Sequence, residues 1–204
     1  SLNENSKFIP KSPYAVGKVF AHDMTKIYRE SYGLFTVNGI LFNHESPLRG
    51  ETFVTRKITK AVGRISLDLQ NKLTLGNLRA SRDWGFAGDY VEGMYLKMQN
   101  DKPDDWVLSS DETHTVEEFV KIAFDYVNLN WEDYVETSKK YERPNEVEHL
   151  LGDSSKARDQ LGWKPKVSFK ELVHMMVDSD LEEATREKVL LEQNLITPTW
   201  ENPA

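Results

Sequence analysis

The stretch from Ser12 to Phe42 constrains the fold more than any other part of the chain. Ser12-Pro13 reads as a helix N-cap followed by a first-turn proline, Val16, Phe20, Met24, Ile27 and Tyr28 recur at helical spacing, and Gly33 supplies a C-terminal stop. That spacing predicts a helix with one buried stripe. Leu34–Phe42 follows at once, an apolar, β-rich run too short for a second helix, and it predicts a strand buried on both faces of a parallel sheet. A helix feeding such a strand is half of a βαβ unit.

The alternation continues. Phe53-Val54, Ile58, Val62 and Ile65 mark a second amphipathic helix, Leu73-Thr74-Leu75 a short strand closed by Gly76-Asn77, and Tyr90-Val91, Met94-Tyr95 and Met98 a third helix. After the turn at Asp101-Lys102-Pro103, Trp106-Val107-Leu108 reads as a strand, and Thr115-Val116-Glu117-Glu118 opens a helix with a capping box. Ser168-Phe169-Lys170-Glu171 repeats that device before Leu172, Val173 and Met176. From Asn128 to Pro144 there is no sustained period, with one strand expected near Tyr134-Val135, and Thr197–Ala204 reads as a frayed tail. The class is α/β.

Composition narrows the function. A chain of 204 residues can bury a sizeable core, and its lack of cysteine removes thiolate chemistry and cysteine zinc sites and suits a reducing, cytoplasmic setting. No apolar run approaches the ~20 residues that span a bilayer, and Ser1–Lys11 has no leader pattern, so no membrane partner is expected. The start at Ser1 rather than methionine hints at a cleaved or engineered N-terminus. A net charge of -7 with dispersed lysines and arginines argues against nucleic acid as a partner. His22, His114, His149 and His174 show no ligand spacing, and no metal is expected.

The sharpest local feature is Tyr14-Ala15-Val16-Gly17-Lys18, a tyrosine and a lysine four apart near a helix N-terminus. A phenol with an ordinary pKa near ~10 is a poor base at neutral pH, but a close ammonium and a positive cofactor ring favour the phenolate. The alternative is a plain amphipathic pair. Position supports the chemical reading, because the helix leads into a strand ending at Asn43-His44-Glu45-Ser46-Pro47-Leu48-Arg49-Gly50, and open α/β sheets bind ligands at the C-terminal ends of their strands.

Ser12-Pro13-Tyr14 with Lys18 resembles the active-site helix of the extended short-chain dehydrogenase/reductases. The runs Val37–Pro47, Phe53–Ile58, Leu75–Leu78, Arg82–Gly85 and Tyr141–Val147, then Leu151-Gly152-Asp153 and Leu161–Pro165, resemble the GDP-mannose 4,6-dehydratases, in order from Pro10 to about Asp180. The resemblance implies an incomplete doubly wound, Rossmann-type parallel sheet plus a smaller α/β substrate lobe. Residues 1–50 would be the remainder of the NADP-binding domain and 51–204 mainly the nucleotide-sugar lobe, with segments near 86–110 returning to the sheet.

It also implies roles. Tyr14 would take the proton from the hydroxyl at carbon 4 of the sugar while NADP accepts hydride, Lys18 would hold the nicotinamide ribose, and His44 and Arg49 would contact NADP. Asn43, Lys57, Arg82, Arg143 and Glu146 would hold GDP-mannose, arginines on the diphosphate and the carboxylate on ribose hydroxyls. The product would be a 4-keto-6-deoxy sugar nucleotide. The alternatives are a satisfied strand-end histidine for His44 and local ion pairs for Arg82-Asp83 and Arg143-Glu146.

One departure stands out: no G-x-G-x-x-G or G-x-x-G-x-x-G occurs, and the threonine and glutamate that the family uses on an upstream strand have no counterpart here, Glu4 being in a loop-like stretch. The expectation is a truncated chain inactive alone, or one piece of an enzyme completed by a second chain. Uncovered strand edges and helix faces predict a homo-oligomer, dimer or tetramer. The rivals are another sugar-nucleotide epimerase or reductase of the same superfamily and a non-catalytic GDP-sugar-binding module.

Overall fold

The computed structural model describes residues 1–141, 147–198 and 200. They fall into two compact units, each counted over its described residues: Ser1–His44 with Ala80–His114 and Arg143–Ser168, and Glu45–Arg79 with Thr115–Glu142 and Phe169–Ala204.

In the first unit, helix α1 (Pro13–Tyr32) starts where the sequence places it. The Ser12 side chain accepts from the Ala15 amide, Pro13 fills the first turn, and Gly33 at φ +64° ends the helix in the left-handed conformation that suits glycine. Its stripe is a correction: no residue of α1 is buried, and Val16, Phe20, Ile27 and Tyr32 are exposed. The following strand also differs from expectation. β1 spans Asn38–Leu41 only and is half-buried along its length, because among the described residues it pairs with one strand, β6 (Asp105–Leu108), in parallel register from Asn38↔Asp105 to Leu41↔Leu108. β6 itself is buried throughout.

The core of this unit joins β6 to α3 (Ala87–Met98) and α5 (Ser155–Leu161) through Tyr90, Trp106, Leu108, Ala157 and Trp163. Trp163 Nε1 donates to the Asp89 carbonyl at 2.7 Å, and Trp106 Nε1 to Gln160 Oε1 at 3.1 Å, so both indoles bury their rings with the polar edge satisfied. Gly93 makes the contact possible, since a Cβ there would stand 2.6 Å from Leu108 Cδ1.

At the start of β6, Asp105 takes Arg29 Nη1 and Asn38 Nδ2, each at 2.9 Å. Burial raises this carboxyl, but the bonds from Arg29 and Asn38 and the nearby positive charge outweigh it and leave it below the ordinary value. A depressed folded-state pKa stabilises above the unfolded value near ~3.9 and ceases to do so as pH falls through the folded value. Acid titration of stability should therefore show the wild type losing its advantage over Asp105→Asn below about pH 4. Parallel curves across that window would unlink Asp105 from acid unfolding.

The second unit packs α2 (Val54–Ile65), α4 (Val116–Tyr126) and α6 (Phe169–Glu192) around Ile58, Val62, Phe119, Val120, Val173 and Met176. The capping box forms as expected, with Thr115 accepting from the Glu118 amide and Glu118 from the Thr115 amide. β3 (Leu73–Leu75) pairs in parallel with β8 (Val135–Thr137), the strand expected near Tyr134-Val135. Short helical turns at Trp131–Asp133 and Lys139–Tyr141 flank β8. The expected frayed tail lies partly outside the described residues. Within it, Trp200 is held, its Nε1 donating to the Leu69 carbonyl and its ring 4.0 Å from the Arg64 guanidinium.

Four short strands complete the chain: β2 (Asn43–Glu45), β4 (Ser81–Arg82), β5 (Trp84–Phe86) and β7 (His114–Thr115), pairing as β2 with β5 and β4 with β7.

Candidate active site

In the first unit, the fixed start of α1 sets Tyr14 and Lys18 on one helical face, with Lys18 Nζ 5.4 Å from the centre of the Tyr14 ring. Both are exposed, Tyr14 by 75%, so phenol and ammonium are presented to solvent rather than used in packing.

β2 carries Asn43 and His44, both half-buried. His44 Nδ1 lies 2.9 Å from the Phe42 carbonyl. A carbonyl only accepts, so Nδ1 carries the hydrogen and the neutral ring keeps Nε2 as an acceptor. The ring stacks on Tyr90 at 5.2 Å. Nδ1 is thus satisfied within the chain, and among the described residues Nε2 has no hydrogen-bond partner.

Tyr90 is fully buried, and among the described residues its hydroxyl has no hydrogen-bond partner. Burial, with the charges of Asp83 and Asp89, pushes the phenol well above its ordinary value. Since an unpaired buried hydroxyl is costly, Tyr90→Phe should leave stability unchanged or raise it by about 1 kcal/mol. A loss above that in urea denaturation would reveal a partner for the hydroxyl.

Arg82, on β4, donates from Nη1 to the Ser81 carbonyl at 2.8 Å. Its neighbour Asp83 is buried and accepts from the Ser110 amide and hydroxyl, both at 2.7 Å, and from the Gly152 amide at 3.0 Å. Burial raises its carboxyl and those bonds hold it back. Asp83 therefore acts as an internal acceptor that fixes two chain segments, a role different from that of an exposed ion-pair partner. Glu4 is likewise committed, its Oε1 accepting from the Val107 amide at 2.7 Å. Beside it, an apolar cavity of about 240 Å³ is lined by Leu2, Phe8, Ile40, Phe42, Asn43 and Val107.

Arg49 and Lys57 belong to the second unit. The Arg49 guanidinium lies 3.6 Å from the centre of the Phe53 ring, and its Nε is 3.1 Å from Glu45 Oε2 without the alignment of a hydrogen bond. Glu45 accepts from the Thr55 hydroxyl at 2.7 Å. Lys57 Nζ donates to the Thr74 carbonyl at 2.7 Å and sits 4.1 Å from the Tyr141 ring centre, and burial lowers its pKa. Arg143 and Glu146 lie outside the described residues. Among the described residues no helix is long and apolar enough to cross a membrane, and no group of three histidine, aspartate or glutamate side chains is placed to hold a metal.

The sequence profile of the GDP-mannose 4,6 dehydratase family matches residues 1–176. The chain belongs to that family. It is 63% identical over 188 residues to GDP-mannose 4,6 dehydratase 1 of Arabidopsis thaliana, covering 92% of this chain and 52% of that protein, and 46% identical over 196 residues to the human GDP-mannose 4,6 dehydratase, covering 88% and 53%. It thus spans about half the length of the curated relatives it matches.

Among solved structures, RMD from Pseudomonas aeruginosa, complexed with NADPH, superposes with a TM-score of 0.80 at 19% identity, covering 89% of this chain and 60% of that one. The dTDP-glucose 4,6-dehydratase of Bacillus anthracis, complexed with NAD, gives 0.79 at 18% identity, covering 93% and 58%. At such identities the likeness speaks for the fold, which is of the Rossmann-type α/β class.

Proposed function

We infer that this chain is the part of a GDP-mannose 4,6-dehydratase that carries the Tyr14–Lys18 pair and several GDP-mannose contacts, working with NADP to form GDP-4-keto-6-deoxymannose. The observation that carries the reading is the pair on one face of α1, solvent-presented, in a chain of this family. Tyr14 is the base for the hydroxyl at carbon 4, and Lys18, on the same face, holds the nicotinamide ribose. Water then leaves across carbons 5 and 6. NADP, when bound, would supply hydride acceptance at carbon 4 and hydride return at carbon 6.

The residues present suit such a cofactor. Arg49 presents a guanidinium flattened on Phe53 with a buried Nε that lacks an aligned acceptor among the described residues, and a planar fork of donors fits phosphate oxygens. His44 keeps Nε2 for a polar group. Asn43, Lys57, Arg82, Arg143 and Glu146 are assigned to GDP-mannose, residues 1–50 with the segments near 86–110 to the cofactor side, and the rest of 51–204 mainly to the nucleotide sugar. The exposed α1 stripe supports a homo-oligomer, dimer or tetramer, and the expected location is the cytoplasm.

The test is calorimetric titration with GDP, on the wild type and Lys57→Ala, with mass spectrometry after incubation with GDP-mannose and NADP. GDP binding weakened in the variant, with no product from the chain alone, is the expected result. A product lighter than substrate by one water would show instead that the chain turns over unaided. Absence of GDP binding overturns the reading.

A further inference from the structure

Arg56 is almost wholly buried in the second unit, and every nitrogen of its guanidinium is engaged. Nε donates to Asp180 Oδ1 at 2.7 Å and Oδ2 at 2.9 Å, and Nη2 donates to Glu183 Oε2 at 2.7 Å. Nη1 does something different. It reaches the carbonyls of Pro47 and of Arg49, the latter at 3.0 Å. These two carbonyls belong to the turn in which the Arg49 amide donates to the Ser46 carbonyl and the Leu48 amide to Ser46 Oγ.

The backbone of Arg49 is therefore held from one side by a side chain rooted in α2 and α6, and its guanidinium from the other by Glu45 and Phe53. We propose that Arg56 is the positioning residue for Arg49. Its fork holds the turn in the one conformation that offers the Arg49 guanidinium to an anionic ligand of the nucleoside-phosphate class. Thr59 supports the arrangement, its hydroxyl donating to Asp180 Oδ2 at 2.6 Å and so fixing the carboxylate that aims the fork. The geometry requires arginine, since a lysine can meet Asp180 but has no planar fork to serve a carboxylate and two carbonyls together. The inference rests on the reading of Arg49 as a cofactor-phosphate ligand.

Arg56→Lys and Asp180→Asn separate turn positioning from general stability. In Arg56→Lys, exchange of the Leu48, Arg49 and Gly50 amides should accelerate by at least about tenfold relative to amides of α2 and α6, because the turn opens locally. In the same variant the dissociation constant for NADP should rise about three- to tenfold, the cost of ordering Arg49 on binding, with GDP affinity held. Asp180→Asn, which keeps an acceptor for Arg56 and leaves both carbonyl bonds, should lower the denaturation midpoint without speeding turn exchange.

Turn exchange in Arg56→Lys equal to wild type, or raised no more than throughout α2 and α6, overturns the proposal. Arg49→Ala tests the underlying reading separately. If the turn loosens in Arg56→Lys but Arg49→Ala leaves NADP binding unchanged, positioning by Arg56 stands and the phosphate role of Arg49 falls.

Discussion

Asp180→Ala is expected to cost about 3–5 kcal/mol of stability, because it strips a buried arginine of its enclosed counter-charge and leaves it only the partly exposed Glu183. Arg56, Lys60 and Arg64 stand at successive turns of α2 and are buried there against α6. Lys60 Nζ is 2.8 Å from Glu183 Oε1 and Arg64 Nη2 is 2.6 Å from Glu187 Oε1, so the helices meet through a ladder of ion pairs. Only the Asp180 step is enclosed on both sides. Its partners further along are partly open to water, and their loss matters less. Burial lifts the Asp180 carboxyl above the usual range, with Thr59 and Arg56 pulling it back, so the charge persists there only through those partners.

Backbone approach reinforces the contact. A Cβ on Gly63 would lie 2.7 Å from the Asp180 carbonyl oxygen, so the helices cannot shift together to heal the gap. Urea denaturation measures the loss. A cost below about 1 kcal/mol would mean that apolar contacts such as Ile58 and Val62 hold the helices and that the ladder only decorates them.

These features explain what the sequence could and could not reveal. The ends of α1 and the start of α4 were legible because Ser12, Pro13, Gly33 and the Thr115–Glu118 box act within a few residues of themselves. The Tyr14–Lys18 pair was legible for the same reason, since a four-residue offset on a helix fixes a face whatever surrounds it. The α2–α6 ladder was not, because its partners lie more than a hundred positions apart and a helix carrying four cations, Arg56, Lys57, Lys60 and Arg64, reads as solvated on one side. Arg56 accordingly escaped notice beside Lys57. The α1 stripe failed in the opposite direction. Apolar periodicity reports what a helix can bury, and burial needs a partner surface, which the described residues do not provide for Phe20 or Ile27. At the site, Arg49 is a mixed case: Glu45 and Phe53 sit four residues to either side, whereas the anchor on its backbone is Arg56 of α2, which is aimed in turn by the distant Asp180 of α6.

Tyr14→Phe should leave this fold intact and remove the proposed chemistry. The side chain is three-quarters exposed at the first turn of α1, so losing its hydroxyl should change stability by no more than about 0.5 kcal/mol. GDP affinity should also hold, since the residues assigned to the nucleotide lie elsewhere. In a full-length enzyme that carries the substitution, turnover of GDP-mannose should fall about 10²–10⁴-fold, the contribution typical of a positioned acid or base. Lys18→Met then distinguishes a cofactor ligand from a mere neighbour. If the ammonium holds the nicotinamide ribose, Lys18→Met should weaken NADP binding as well as turnover, whereas Tyr14→Phe should lower turnover with NADP binding held. Unchanged NADP binding in Lys18→Met would remove the lysine from the cofactor site, and full activity in Tyr14→Phe would remove Tyr14 from the mechanism.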